Sequence, residues 1–163
     1  MPTASAAAVP EILPYHPAFK DAFRQLNHEW INKYFELEAL DNQLLDNPDS
    51  YILARGGRIL FAQWQGQLVG TCALLKVTDT LYELGKMAVT EKAQDLKIGQ
   101  YLCQAAIAEA RALGATKLEL YSHRSLKPAL HVYQKLGFRE VSCPPSGYKR
   151  SDIKMELNLA SEK

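Results

Sequence analysis

The segment from Glu83 to Gly99 combines residue types whose order suits the binding of an anion. Its first part alternates like a strand, a short loop follows, and a helical pattern begins near Ile98. A loop that leads into a helix gathers unpaired backbone N–H groups, and the helix macrodipole adds about half a positive charge at that end. Such a site favours a phosphate or pyrophosphate. Lys97 would add a cation, and Gly99, which has no side chain, would let a ligand approach the backbone.

The same segment is neither a nucleotide P-loop nor the dinucleotide-binding glycine pattern, and many turns of its shape bind nothing. Residues 94–99 (QDLKIG) nevertheless resemble the phosphate loop of the GNAT superfamily of acetyltransferases, Gln/Arg-x-x-Gly-x-Gly/Ala, with Lys97 at the first glycine. The family's second signature, Ala-x-x-x-Tyr-x-Lys-x-Gly-Phe, is complete in residues 129–138, although Leu126 replaces an asparagine often found before it. Both signatures stand in the family's order and spacing, so residues 81–141 are similar to a GNAT acetyltransferase.

This resemblance implies acetyl-CoA as co-substrate. No CxxC pair or His/Cys cluster indicates a metal site, so no metal is expected. In the family the fourth strand separates from the fifth, and its exposed backbone pairs with the pantetheine arm. The corresponding residues here are Met87, Ala88 and Val89, which would at the same time be buried strand residues. Gly85 predicts a bulge that opens this gap. The loop positions that the resemblance assigns to the cofactor are Gln94, Asp95, Leu96, Lys97, Ile98, Gly99 and Gln100.

Acyl transfer to an amine needs a base, and Glu83 is the candidate. A free aliphatic amine has a pKa of about 10.4, so its proton must be removed before it attacks a thioester. Glu83 lies six residues before Val89, where the resemblance places the family's basic glutamate. Among apolar strand neighbours, desolvation is expected to raise its pKa. The alternative is an ordinary exposed or ion-paired strand glutamate.

The leaving thiolate needs a proton, and the resemblance assigns its donor to Tyr133. A tyrosine hydroxyl, with a pKa of about 10, can protonate a thiolate whose thiol has a pKa of about 8.5. The same side chain also fits an apolar helical stripe with Ala129 and Val132, which would make it a core residue. A half-buried ring with its hydroxyl in the cleft satisfies both interpretations.

Other residues with chemical potential carry weaker signals. The four histidines share no metal-ligand spacing, and His123, just after a predicted strand, stays a minor candidate. Trp30, Tyr34 and Phe35 could line an acceptor pocket, but an aromatic helical stripe is more typical of core. The charged run at 148–152 (YKRSD) is more typical of a solvated turn than of an acceptor clamp.

The elements that must position these residues follow from periodicity and turn signals. Helices are predicted over 17–35, 37–45, 98–113 and 128–136, and strands over 58–64, 68–77, 81–89, 117–122, 138–141 and 153–159. The prediction is an α+β, GNAT-like fold with a mixed, mostly antiparallel sheet of six to seven strands flanked by about four helices. Residues 11–160 are expected to form one domain after a flexible tail at 1–10.

Composition limits the partners. With 19 basic and 18 acidic residues the net charge is +1, so neither a nucleic-acid footprint nor a membrane-surface face is expected. The three cysteines are widely spaced, which is typical of reduced thiols in a cytoplasmic protein. No apolar run approaches the roughly 20 residues of a membrane span. The expected partners are a small-molecule or peptide amine acceptor and, as many relatives dimerise, a second copy in a homodimer.

Two functions remain open from sequence. The first is an N-acetyltransferase that moves an acetyl group from acetyl-CoA to a primary amine by direct attack in a ternary complex. The second is a non-catalytic acyl-CoA-binding sensor or interaction module on the same scaffold, which the departures at Lys97 and Leu126 favour. Glu83 and Tyr133 favour the enzyme, because a pure binding protein would need neither.

Overall fold

The computed structural model describes residues 9–144 and 149–160, apart from the side chain of Asp95. The α-helices in these ranges are α1 (Lys20–Tyr34), α2 (Ala39–Asp46), α3 (Ile98–Ala112) and α4 (Lys127–Lys135). The strands are β1 (Glu11–Pro14), β2 (Arg58–Trp64), β3 (Gln67–Lys76), β4 (Leu81–Val89), β5 (Lys117–Ser122), β6 (Arg139–Val141) and β7 (Ile153–Asn158). Short helical segments are the 3-10 helices Pro17–Phe19 and Glu91–Leu96 and the π-helix Asp49–Leu53. No helix in the described ranges is long and apolar enough to cross a membrane.

All seven strands belong to one sheet, in the order β1-β2-β3-β4-β5-β7-β6. Neighbouring strands are antiparallel except β4 and β5, which are parallel. A parallel pair needs a long crossover connection, and α3 lies within it. The structure confirms the predicted α+β fold with its mixed, mostly antiparallel sheet.

The N-terminal region departs from the predicted boundaries. The helix predicted over 17–35 is a 3-10 turn followed by α1, and α2 begins at Ala39 rather than at residue 37. Glu38 caps α2, because its backbone N–H donates to the Asp41 carboxylate at 2.8 Å. β1 is not predicted, since four residues (EILP) are too few to show alternation. Of the predicted tail, Pro10 is buried, and residues 1–8 lie outside the described residues.

Each face of the sheet carries an apolar cluster covered by helices. On one face α3 and α4 pack over a cluster in which Leu102, Leu118 and Phe138 are buried. On the other face α1 and α2 pack over a second cluster, in which Phe23 of α1 meets Phe61 of β2 edge-on with ring centroids 6.5 Å apart. The helices α1 and α2 on one face, and α3 and α4 on the other, therefore place side chains from both halves of the sequence against the sheet.

A β-bulge interrupts β4 next to Gly85. The register with β3 shifts between Thr71 and Ala73, so β4 holds one extra residue there, and Lys86 has a φ of 53°. Strict alternation would place Glu83 and Lys86 on opposite faces of the sheet. The extra residue brings both to the face covered by α1 and α2. Gly85 predicts the bulge, but the left-handed residue is its neighbour.

The parallel strands β4 and β5 separate along their length. They pair only from Leu81 to Glu83 on β4 and from Lys117 to Glu119 on β5. β5 goes on pairing with β7 as far as Ser122, whereas the remainder of β4 loses its partner on that side. The structure thus contains the gap between the fourth and fifth strands that the family resemblance implies.

Candidate active site

A cavity of about 670 Å³ lies where β4 and β5 separate. Its size is within the range of small-molecule and cofactor sites. It is lined by residues of α1, β4, β5 and α4, by the loop before α3, and by Arg150 and Ser151. Both predicted catalytic residues, Glu83 and Tyr133, line this cavity.

The loop before α3 presents an open helix N-terminus to the cavity. Lys97 ends the 3-10 turn with a φ of 60°, a left-handed conformation that costs an L residue about 1–2 kcal/mol. This explains why the family pattern has glycine at that position. A Cβ added at Gly99 would have no neighbour within 4 Å, so the start of α3 is open. Gln94 fastens the loop by donating from Nε2 to the Val89 carbonyl at 3.2 Å.

The residues predicted to bind the cofactor divide into two groups. Those that line the cavity are Met87, Val89, Gln94, Lys97, Gly99 and Gln100. Ala88 and Ile98 are buried, each residue being 1% exposed, and neither lines the cavity. Leu96 packs against the core cluster under α3, and Asp95 has no described side chain.

Glu83 lies at the last paired position of β4, opposite Glu119 of β5. Burial raises the pKa of its carboxyl to about 7, and the negative charge of Glu119 acts in the same direction. Lys86 and Lys154 oppose this rise. Lys154 is held by Glu119, with Nζ and Oε1 3.2 Å apart. A carboxyl that titrates near neutrality can accept and return a proton under working conditions.

Tyr133 extends from α4 into the opposite wall of the cavity. Its ring packs against Phe138, with centroids 5.8 Å apart and planes at 61°. Burial raises the pKa of the Tyr133 hydroxyl, with a smaller contribution from Cys103 and Cys72. The hydroxyl therefore stays protonated near neutral pH. The ring is both a packing residue and a cavity residue, as the two sequence interpretations allow.

A buried ion-pair network closes the end of the cavity near α2, and sequence analysis does not predict it. Asp41 is fully buried and accepts from Lys86 Nζ at 2.5 Å. Arg150 donates to both oxygens of Asp41 at 2.8 and 2.9 Å, and to Glu38 at 3.3 Å. Burial alone would raise the pKa of Asp41, but its hydrogen bonds and nearby cations hold it at about 2.

The prediction of a solvated turn at residues 148–152 is wrong for Arg150. Its side chain is 17% exposed, lines the cavity and lies over the Phe35 ring, 5.9 Å from the centroid. Tyr148, the first residue of the run, lies outside the described residues. Lys86 and Arg150 are 45 and 109 residues away from Asp41 in the sequence, so local patterns cannot predict these contacts.

The aromatic stripe of α1 lines the cavity as well as packing on the core. Trp30 packs against Tyr34 and Phe35, with ring centroids 5.5 and 5.9 Å apart. Phe35 in turn meets His123 edge-on at 5.4 Å. These four rings form an aromatic wall of the cavity that Glu83 also lines. The stripe therefore packs on the core and lines the cavity at the same time, so both sequence interpretations apply to it.

His123 holds a turn through both of its ring nitrogens. Nδ1 accepts from the Ser125 backbone N–H at 3.1 Å, so in the neutral ring the proton lies on Nε2. Nε2 is 3.4 Å from the Asp152 carboxylate. These contacts tie the loop after β5 to the segment before β7. A ring engaged at both nitrogens is poorly placed to act as the base.

A clasp joins the aromatic wall to the phosphate loop. The Glu29 carboxylate of α1 accepts from the Thr90 hydroxyl at 3.1 Å and from the Glu91 backbone N–H at 3.1 Å. Lys33 forms an ion pair with Glu91. These contacts hold α1 against the loop before α3, and no sequence motif reveals them.

Comparisons with known proteins agree with this geometry. The family model for the acetyltransferase (GNAT) family matches residues 18–138. The chain is 34% identical over 116 residues to YvbK, an uncharacterized N-acetyltransferase of Bacillus subtilis, covering 71% of this chain and 73% of that protein. This chain belongs to the GNAT family. It is accordingly an acetyltransferase.

Solved structures of GNAT proteins share the fold. A GNAT acetyltransferase from Staphylococcus aureus superimposes with a TM-score of 0.83 at 22% identity, covering 93% of this chain and all of that one. An aminoglycoside 6'-N-acetyltransferase in complex with coenzyme A gives a TM-score of 0.72 at 16% identity, covering 94% and 99%. Within the described ranges of this GNAT acetyltransferase, no three His, Cys, Asp or Glu side chains lie close enough to hold a metal ion.

Proposed function

We propose that this GNAT protein transfers the acetyl group of acetyl-CoA to a primary amine by direct attack in a ternary complex. The observation that carries the proposal is the position of Glu83 and Tyr133 on one cavity, at the point where β4 leaves β5. A carboxyl with a pKa near neutrality suits the base of such a transfer. The Tyr133 hydroxyl keeps the proton that the leaving thiolate needs, while its raised pKa makes it a weaker acid than a free tyrosine.

The residues present fit acetyl-CoA as donor. Backbone groups of β4 beyond Glu83 face the gap without a β5 partner, which suits the amide groups of a pantetheine arm. The open N-terminus of α3, with Lys97 beside it, suits a pyrophosphate. Because Gly99 leaves this end uncovered, phosphate oxygens could reach the backbone N–H groups directly.

The chemistry assigned to the two side chains balances protons and bonds. Glu83 takes a proton from the ammonium of the acceptor, directly or through water, and the freed nitrogen attacks the thioester carbonyl carbon. A C–N bond forms and the C–S bond breaks, so the sulfur leaves as a thiolate. Tyr133 donates its proton to that thiolate, and the second proton, which the nitrogen loses as it becomes an amide, passes to the Tyr133 phenolate directly or through water and restores its hydroxyl. Proton transfer of this kind contributes roughly 10²–10⁴-fold to a rate.

A non-catalytic acyl-CoA sensor is the competing proposal. It would need the gap and the phosphate loop, but nothing in binding requires a glutamate held near neutral pKa beside an acceptor-sized space. The positive φ at Lys97 shows that the loop keeps the shape its glycine-containing relatives need, so the substitution is weak evidence for lost function.

Calorimetry and product analysis separate the two. Titration with acetyl-CoA, coenzyme A and pantetheine tests the phosphate loop, and both phosphate-bearing ligands are expected to bind more tightly. Mass spectrometry of an amine mixture then tests turnover by the wild type and by Glu83→Gln. Binding with turnover that Glu83→Gln removes supports the enzyme. Binding without turnover supports the sensor, and no binding contradicts both.

A further inference from the structure

Glu29 of α1 is a carboxylate that the proposed transfer does not use, and its contacts lie at the start of the loop before α3. The Thr90 hydroxyl donates to it, with the hydroxyl oxygen 3.1 and 3.2 Å from the two carboxylate oxygens, and the Glu91 backbone N–H donates to it at 3.1 Å. Thr90 is the N-cap residue of the 3-10 helix Glu91–Leu96, and the first N–H groups of a helix need partners from outside it. A carboxylate on a neighbouring helix therefore caps this turn.

The turn that Glu29 caps leads directly into the proposed phosphate site. It ends at Lys97, whose left-handed conformation precedes α3. The hydrogen bonds of a 3-10 helix have poorer geometry than those of an α-helix, so the position of this turn depends on contacts with its surroundings. Such contacts include the buried Ala93, the hydrogen bond from Gln94 and the cap from Glu29. The cap therefore helps to fix where the N–H groups at the start of α3 lie.

The charge of Glu29 is unfavourable for a pyrophosphate, and this gives the cap a distinctive signature. A carboxylate near the loop repels an incoming phosphate, and Glu91 adds a second carboxylate. Lys33 forms an ion pair with Glu91, which compensates one of the two charges. If charge alone mattered, loss of the Glu29 carboxylate would tighten the binding of coenzyme A. If the cap matters more, the same loss weakens it.

The helix that provides the cap also carries part of the aromatic wall. Glu29 and Lys33, which hold the start of the loop, directly precede Trp30 and Tyr34, which line the cavity. Residues four apart lie on one face of a helix, so the two pairs form neighbouring rows on one element. A loop that is held in place by a bound pyrophosphate therefore also holds α1 through the clasp.

We propose that Glu29 is a positioning residue for coenzyme A, which fixes the start of the phosphate loop against α1 and links occupation of that loop to the local stability of α1. This role rests on the proposed function, because it takes the loop before α3 as the phosphate site. Glu29 does not itself line the cavity, and it acts through Thr90 and the Glu91 backbone.

Calorimetry with coenzyme A and pantetheine tests the positioning role. Pantetheine lacks the phosphates, so its Kd, measured by competition with coenzyme A, reports binding that does not involve the loop. Glu29→Ala removes the cap at an exposed helix position, where alanine favours the helix. It is expected to raise the Kd for coenzyme A about three- to tenfold, in line with the loss of a helix cap. The Kd for pantetheine should stay unchanged.

Two further variants control for hydrogen bonding and for the loss of a charge on this helix. Glu29→Gln removes the charge but keeps an oxygen that can accept a hydrogen bond, so its Kd for coenzyme A is expected to lie between those of wild type and Glu29→Ala. Asp21→Ala removes an exposed carboxylate from the first turn of the same helix, outside the cavity, and should change neither Kd.

Hydrogen exchange of α1 tests the link between the loop and this helix. Saturating coenzyme A is expected to slow amide exchange in residues 20–34 of the wild type, because the clasp makes opening of the helix less favourable when the loop is occupied. Saturating pantetheine, which leaves the loop empty, should slow it less. In Glu29→Ala, the protection that saturating coenzyme A gives to α1 is expected to fall to the level that pantetheine gives.

The outcomes separate this inference from the proposed function. An unchanged or lower Kd for coenzyme A in Glu29→Ala, or an equal rise for pantetheine, overturns the positioning role and leaves the proposed phosphate site intact. Equal protection of α1 by coenzyme A in wild type and Glu29→Ala overturns the link to α1. A wild type that binds coenzyme A no more tightly than pantetheine contradicts the phosphate site of the proposed function and this inference together.

Discussion

Replacing Glu83 by glutamine is expected to make the folded protein more stable at alkaline pH while it removes activity. The carboxyl has a pKa of about 7 in the folded protein against an ordinary value of 4.5. A folded pKa above the unfolded one gives stability that is present at low pH and lost as the pH rises through the folded value. At about 1.4 kcal/mol per pH unit, the loss between pH 4.5 and pH 7 is about 3 kcal/mol.

Glutamine carries no charge, so the free energy of unfolding of Glu83→Gln does not fall in this way as the pH rises. Urea unfolding of wild type and Glu83→Gln at several pH values between about 4 and 9 gives the free energy of unfolding of each. The difference between them cancels the titration of all other groups. It is expected to rise by up to about 3 kcal/mol in favour of the variant, or about 6–12 °C in Tm for a chain of this size.

The same substitution on an exposed strand residue provides the control. Glu11 of β1 is exposed, and Glu11→Gln should show a difference from wild type that stays within about 0.5 kcal/mol at every pH. If the free energy of unfolding of Glu83→Gln changes with pH in parallel with that of the wild type, this reasoning is refuted. It would mean that Glu83 is not desolvated and lacks the property that makes it a suitable base.

Three other substitutions probe the neighbouring contacts. Glu119→Gln removes a negative charge that raises the pKa of Glu83, so the acidic limb of the pH profile of kcat/KM should move to lower pH; an unmoved limb would exclude this coupling. Lys97→Gly removes the strain of a lysine in the left-handed conformation and should raise the free energy of unfolding by up to about 1 kcal/mol. Calorimetry of the same variant at two salt concentrations should show weaker and less salt-dependent binding of coenzyme A. Asp41→Asn leaves two largely buried cations poorly compensated and should cost about 3 kcal/mol in urea unfolding; a change below about 1 kcal/mol would show that the network is not held by this carboxylate.

Local signals account for most of the fold that sequence predicts. The strands predicted over 58–64 and 68–77 are one case, since Gln65 and Gly66 between them both have positive φ, as a two-residue primed turn requires. Gly114 and Gly137, both with positive φ, follow the ends of α3 and α4, within one residue of the predicted ends at 113 and 136. The gap between β4 and β5 is implied instead by the family resemblance, because no local pattern shows where pairing stops.

Contacts between distant residues account for what sequence does not predict. Asp41, Lys86 and Arg150 each look like solvated charges within their own segments, and only the bulge in β4 and the approach of residues 149–152 bring them together. The left-handed conformation of Lys86 has no local signal, because nothing in a lysine favours it. The aromatic stripe of α1 is likewise typical of core residues, and the sequence alone does not show the gap beside β4 that brings these rings to the cavity.

Turnover of a primary amine that the wild type acetylates, compared between wild type and Glu83→Gln with the Kd for acetyl-CoA measured in both, tests the central claim most directly. We expect N-acetyl product from the wild type, a rate at least about 100-fold lower in the variant, and the same Kd for acetyl-CoA in the two proteins. Equal rates at neutral pH would contradict the assignment, because they would show that the acceptor loses its proton without the Glu83 carboxyl.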